Sequence, residues 1–394
     1  MKKNKLTGNK FFVPVIISIV VIIITAQSLL LNSKTFIPGE PSYTHYNNYV
    51  IFKQSFFHLI ENKNLYELYP AEHFDYYKYS PTFSLFMAPL ANLPDSVGLF
   101  LWNLLNVLVL YFALRRLPLS SNKTHLLMLG FVFLELLTST QNSQSNALIA
   151  GLIILAFTSL ERKKIVLASL FIVLTVFIKI FGLVAFALFM FYPNKLRAAV
   201  YTIGWTVLLA AFPLLVISVS QLSFLYQSWL HLLQNDHSAS VGFSVAGWLY
   251  TWFHIDAKNA TVLIGALVFC LPFLKWKYYN DVQFKLFFLS SILLWIVIFN
   301  HKAESATFII AVTGIAIWFF SQKRTLLNTI LFATAFIFTI LSPTDLFPKS
   351  IRENFVIPYV LKAVPCILIW FKIMYDLLFF KPGSNNLTPA GKAV

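Results

Sequence analysis

In a chain that is 58% hydrophobic and 11% charged, the residues able to do chemistry collect in a few short runs. FDYYKYSP holds Asp75 and Lys78, a carboxylate able to accept a proton beside a cation. NHKAES holds His301, Lys302 and Glu304, the group types that activate an acceptor hydroxyl and grip a phosphate. TQNSQSN supplies the amides of Asn142 and Asn146, which hydrogen-bond a polar ligand as donors or acceptors. Lys179 interrupts an apolar run in FIKIF. It reads equally as a side chain snorkelling to the interface and as a phosphate-binding cation near membrane depth. Plainer readings stand beside the others too: Asp75 as a solvated loop acid, and NHKAES as a polar turn at a helix end. Glu135, inside an apolar span, reads as a hydrogen-bonded acid facing a helix bundle.

Several chemistries have no motif here. HExxH, GxSxG, Walker, GxGxxG and CxxC patterns are all missing from the sequence. The two cysteines, Cys270 and Cys366, lie in apolar spans, so no metal site or disulfide framework is expected, and no cofactor. The formal charge of +15 does not indicate nucleic acid, because Lys and Arg gather in turns on one side of a membrane by the positive-inside rule.

The elements that must position these groups are membrane helices. Mean hydropathy is +0.73, and the charged fraction is half that of a soluble domain. About twelve apolar segments are candidate spans: 11–31, 97–114, 124–140, 146–159, 165–178, 180–192, 198–219, 261–274, 283–300, 305–320, 326–341 and 356–376. With the N-terminus cytoplasmic, Arg115 and Arg116, Arg162 to Lys164, Lys195 and Arg197, Lys275 and Lys277, and Lys323 and Arg324 all fall in cytoplasmic turns. The acids Glu40, Glu61, Glu67, Glu72, Asp75 and Glu304, and every histidine except His125, then fall outside. The expectation is one multi-pass, all-α domain over 1–380 in a bacterial plasma membrane, with both termini cytoplasmic and a disordered tail over 381–394.

The segment 81–93, bounded by Pro81 and Pro94, is too short to span and predicts a broken helix. Such backbone is tolerated only where protein or a wet cavity surrounds it. The loop over 32–80 carries a helical pattern at 46–62 with Tyr49, Phe52, Phe56 and Ile60 on one stripe, expected to lie in the interface apolar face down. Tyr66, Tyr69, Tyr76, Tyr77 and Tyr79 read as an interfacial belt. Segment 220–258 is expected to be a second outer loop. The polar runs thus sit at the outer ends of different helices, where they can share one cavity. No nucleotide-activated donor is present on that side, so a transferase there needs a donor carried by lipid.

Four stretches resemble glycosyltransferase family 87, the DUF2029 group of polyprenyl-phosphate-dependent, α-mannosyltransferase-like enzymes. They are ENKNLYELYP, the run YKYSPTFSLFMAPLANLPDSVGLFLWNLLN, TQNSQSNALIAGLIILAF with the FIK of Lys179, and SVGFSVAGWL. The resemblance implies a GT-C bundle with its active site under the first loop. It also implies an inverting transfer of a mannose-like hexose from a polyprenyl-phosphate donor to a lipid or glycan acceptor. A carboxylate would deprotonate the acceptor while cations steady the departing phosphate. The family pattern puts an acid where this chain has Asn48, and an amide cannot act as base. The base is then expected at Asp75, Glu304 or Glu40, with Asn48, Lys78, Lys179, Lys302, Asn142 and Asn146 binding substrate. The alternatives are a transporter or lipid flippase, or an inactive homologue.

Overall fold

The computed structural model of the chain describes residues 12–37, 39, 41–119, 121–235 and 242–382. Among these the only strands are the two-residue pair Lys34–Thr35 and Ser42–Tyr43; the rest is helix and connection. The centre of the bundle is built from Asn146–Glu161, Val282–Ile298 and Phe308–Phe320, which are apolar on every face and buried on nearly every residue. Helices that are hydrophobic all round belong inside a bundle. Phe12–Leu30 and Lys195–Ala211 lie outside, with Ile19, Ile23, Val200, Ile203 and Val207 more than half exposed. That is the surface expected to face lipid.

All of the expected spans but the last are helical over most of their length, 180–192 as the 3₁₀ segment Ile180–Phe191. Phe12–Leu30, Asp95–Arg115 and Lys195–Leu215 are each long and apolar enough to cross a bilayer unaided. Others reach their length by changing helix type. Lys258–Cys270 continues as the 3₁₀ turn Leu271–Leu274, and Leu326–Thr334 continues as a π-helix over Ala335–Leu341. The last span departs from expectation. Its α-helix runs only over Val364–Leu378, preceded by a π turn at Arg352–Val356.

The broken helix is as expected, Pro81–Phe86 followed by Ala88–Ala91. Ser80 caps it by accepting from the Phe83 N–H and, through its own hydroxyl, donates to the Phe177 carbonyl at 2.6 Å. Thr82 donates to the Leu209 carbonyl at 2.7 Å. One cap therefore ties the end of the first loop to the end of Ile165–Ile178, where Lys179 follows.

Two expectations about the loop are corrected. The helix Asn47–Ile60 lies on protein rather than in the interface. Tyr49, Phe52 and Phe56 are buried, and Phe52 meets Tyr79, Phe83 and Trp102 edge-on with ring centroids 4.8, 5.3 and 5.4 Å away. Ile60, assigned to that stripe, is exposed. Tyr66, Tyr77 and Tyr79 are core residues, not an interfacial belt. Gly98 makes the docking possible: a Cβ there would lie 1.9 Å from the Tyr49 hydroxyl. Nor is segment 220–258 a plain loop. It contains the helices Val219–Asn235 and Val245–Phe253. The expected tail lies outside the described residues beyond position 382.

Candidate active site

The turn between Asn122–Gln141 and Asn146–Glu161 is the floor of the site. Its backbone is pinned from two sides. Trp102 Nε1 donates to the Ser143 carbonyl at 2.8 Å, and Asn48 Nδ2 donates to the Asn142 carbonyl at 2.9 Å. Two side chains of this turn then reach across the bundle. Gln144 Nε2 donates to Glu304 Oε2 at 2.8 Å. Asn146 donates to the Gln144 amide oxygen and, at 3.0 Å, to the Ala306 carbonyl. Its own Oδ1 accepts from Lys179 Nζ at 2.9 Å. A polar chain thus runs Lys179–Asn146–Gln144–Glu304, linking residues far apart in sequence.

Lys179 can join because the helix stops for it. Its backbone is extended, with φ −143° and ψ 124°, between Ile165–Ile178 and the 3₁₀ segment Ile180–Phe191. The ammonium turns inward between the rings of Tyr79 and Phe181, 5.6 Å from each centroid. This is not snorkelling. The charges of Glu304 and Lys78 both act on it. Burial pushes the Tyr79 phenol up, Ser145 opposes this by hydrogen bonding, and the Glu304 and Asp75 charges add to the rise. Asp75, Lys78, Tyr79, Lys179 and Glu304 therefore share one electrostatic neighbourhood.

Asp75 is half exposed and sits at φ +77°, a region that non-glycine residues rarely occupy. The Tyr76 N–H donates to its Oδ1 at 2.7 Å, and Lys78 Nζ donates to its Oδ2 at 3.1 Å. The 300–305 turn is held by its backbone. The Lys302 N–H donates to Asn300 Oδ1 at 3.0 Å, and Gly242 crosses so close that a Cβ there would lie 2.3 Å from the His301 carbonyl. Gly242 has φ +58°, so both space and backbone ask for glycine. His301 and Lys302 are half buried. Asn142 contributes its carbonyl; its side chain folds back onto the Thr138 carbonyl. Glu40 lies outside the described residues. Among the described residues no three His, Cys, Asp or Glu side chains gather as a metal would need.

Two further residues were not singled out by sequence reasoning. Gln144 was hidden in a run of similar amides. Lys362 is almost fully buried and donates to Glu135 Oε1 at 2.7 Å and to Ser305 Oγ at 2.8 Å. Glu135 is thus the paired intramembrane acid expected, and its partner fastens the turn that carries Glu304. The signal for Lys362 was the one that flagged Lys179, a lone cation among apolar residues.

A family model for glycosyltransferase family 87 matches residues 77–343, well over half of the chain. The chain belongs to glycosyltransferase family 87. It is therefore an all-α membrane glycosyltransferase, and the transporter and flippase alternatives fall away. The matched range takes in Lys78, Gln144, Asn146, Lys179 and Glu304, and it leaves Asn48 and Asp75 outside. Among solved structures this glycosyltransferase is similar to ArnT from Cupriavidus metallidurans bound to undecaprenyl phosphate. The identity is 14% and the TM-score 0.40, over 94% of this chain and 77% of that one. No curated protein matches.

Proposed function

We propose that this family 87 glycosyltransferase moves a hexose, mannose-like in class, from a polyprenyl-phosphate donor to a hydroxyl of a lipid or glycan acceptor, with inversion. The polar end of the bundle is taken to face away from the cytoplasm, where only lipid-borne sugar donors are at hand. The observation that carries the reading is the chain Lys179–Asn146–Gln144–Glu304, which holds a cation and a carboxylate in one network beside the Asp75–Lys78 pair.

Roles follow from how each group is held. Both oxygens of Asp75 are engaged, by a backbone N–H and by Lys78, which suits a residue that orients a cation. Glu304 accepts one hydrogen bond, from a neutral amide, and its Oε1 makes none among the described residues. A carboxylate has lone pairs to spare in that state, so Glu304 is assigned as general base. The acceptor oxygen attacks the anomeric carbon as the carbon–oxygen bond to phosphate breaks. The hydroxyl proton passes to Glu304, and the bonding pair leaves with the polyprenyl phosphate. Lys179 and Lys78 offset the charge that grows there. Preorganised cations act most strongly where water is excluded.

Glu304→Gln keeps the Gln144 contact sterically and removes the basic lone pair. Purified enzyme supplied with labelled polyprenyl-phosphate hexoses and glycolipid acceptors should lose about 100-fold or more of its turnover. Full activity of the variant would overturn the assignment of the base. No transfer by the unaltered enzyme from any such donor would overturn the reaction.

A further inference from the structure

A second concave surface lies beside the catalytic cluster and is chemically unlike it. Between the first loop and the helix Val219–Asn235 runs a groove of about 770 Å³. One wall is the helix face carrying Phe224, Ser228, His231 and Asn235, spaced four, three and four residues apart, with Gln227 alongside. The facing wall includes Tyr76, whose backbone N–H is bonded to Asp75. The groove contains no Lys, Arg, Asp or Glu among its described lining residues. It is open to ligand: the Tyr76 hydroxyl, the Ser228 hydroxyl and the His231 ring make no hydrogen bond among the described residues, whereas Asn235 spends only its donor, on the His231 carbonyl.

Its position is fixed relative to the chemistry. On the buried face of the same helix, Trp229 Nε1 donates to the Lys78 carbonyl at 3.2 Å. Tyr76, the residue next to Asp75 in the chain, lines the groove, so the groove borders the segment that carries the Asp75–Lys78 pair.

We infer that this groove binds the neutral saccharide portion of the acceptor, an inference that rests on the transferase reading above. Amides, hydroxyls and an imidazole both give and take hydrogen bonds, as sugar hydroxyls do. Phe224 and Tyr76 offer ring faces to the apolar C–H faces of a pyranose. A few placed polar groups around aromatic surface are what orient a small ligand. An anionic headgroup finds its cations at Lys179 and Lys78, not here. The division of labour is then complete: phosphate at the lysines, uncharged glycan in the groove, and the acceptor hydroxyl delivered where the two meet.

The test is saturation-transfer NMR on the full chain in nanodiscs, free of sugar detergents. The probes are mannotriose, maltotriose and cellotriose, with trigalacturonic acid as the charged counterpart. At least one neutral trisaccharide should receive saturation, and trigalacturonic acid should receive none. Ser228→Trp, which fills the groove from an exposed helix face, should abolish the signal, and Gln227→Ala should weaken it about fivefold. Silence from all three neutral probes, an unchanged signal in Ser228→Trp, or a stronger response from the acid would overturn the inference. Neutral-sugar binding without transfer from any polyprenyl-phosphate hexose would uphold the groove and sink the reaction. Transfer that is indifferent to Ser228→Trp would sink the groove alone.

Discussion

The helix Asn146–Glu161 carries a lysine partner at each end, and the two ends differ in kind. At its C-terminal end Glu161 pairs with Lys285 and accepts from the Tyr192 hydroxyl at 2.6 Å. Both charges are nearly buried, and the tyrosine closes over them. At its N-terminal end Asn146 holds Lys179 with a neutral amide oxygen. That positions the ammonium without cancelling its charge. A buried ion pair that is matched and sealed holds helices in register, and removing one partner strands the other charge. A lysine aimed by an amide keeps its attraction for an anion. The same helix thus separates scaffold from site by the choice between carboxylate and amide.

That contrast can be broken from either end. Lys179→Met should cut transfer about 100-fold or more while folded protein in the membrane stays near normal, read by turnover beside thermal unfolding of the same sample. Lys285→Met should do the reverse. Stability falls by about 3–5 kcal/mol as Glu161 is left unpaired, with turnover per folded molecule unchanged. If both variants behave alike, the distinction between the two ends is wrong. Asn146→Asp sharpens the comparison by making the site end resemble the scaffold end. A carboxylate on Lys179 should raise the donor KM about tenfold, a cost of about 1.4 kcal/mol, with a smaller change in kcat. An unaltered donor KM would show that Lys179 does not meet the phosphate.

The smallest expected effect lies in the first loop. His58 bonds Glu72 at 2.9 Å, yet burial outweighs that carboxylate and holds the imidazole below its usual range. Burial lowers His73 as well, and the nearby His58 adds to this. A base whose folded pKa is depressed binds fewer protons folded than unfolded, so the loop loses stability as pH falls through about 6.5 and below. Protection factors for hydrogen exchange across 58–75, with the intrinsic pH dependence of exchange divided out, should fall between pH 7 and pH 5.5, and His58→Gln should flatten the change. Protection factors that do not vary with pH would refute the linkage.

Much of this protein follows from residue order alone. Some twenty apolar residues in a row have few fates but a membrane helix, so the expected spans are helical, except for the first part of the last one. Prolines at 81 and 94 break the backbone wherever they fold, and lone polar residues in oil announce themselves, as Glu135 and Lys179 did. Other features had no local signature. The stripe Tyr49, Phe52, Phe56 has one periodicity whether it meets lipid or protein, since both are apolar, and only the docking onto Phe83 and Trp102 chose between them. Likewise nothing in TQNSQSN marks Gln144 above its neighbours. Its role comes from Glu304, about 160 residues away, and from Lys362, which fastens that turn in place. Hydropathy acts on each segment separately and can be read one segment at a time. A hydrogen bond between two distant side chains exists only after the helices have packed, and the site is made of such bonds.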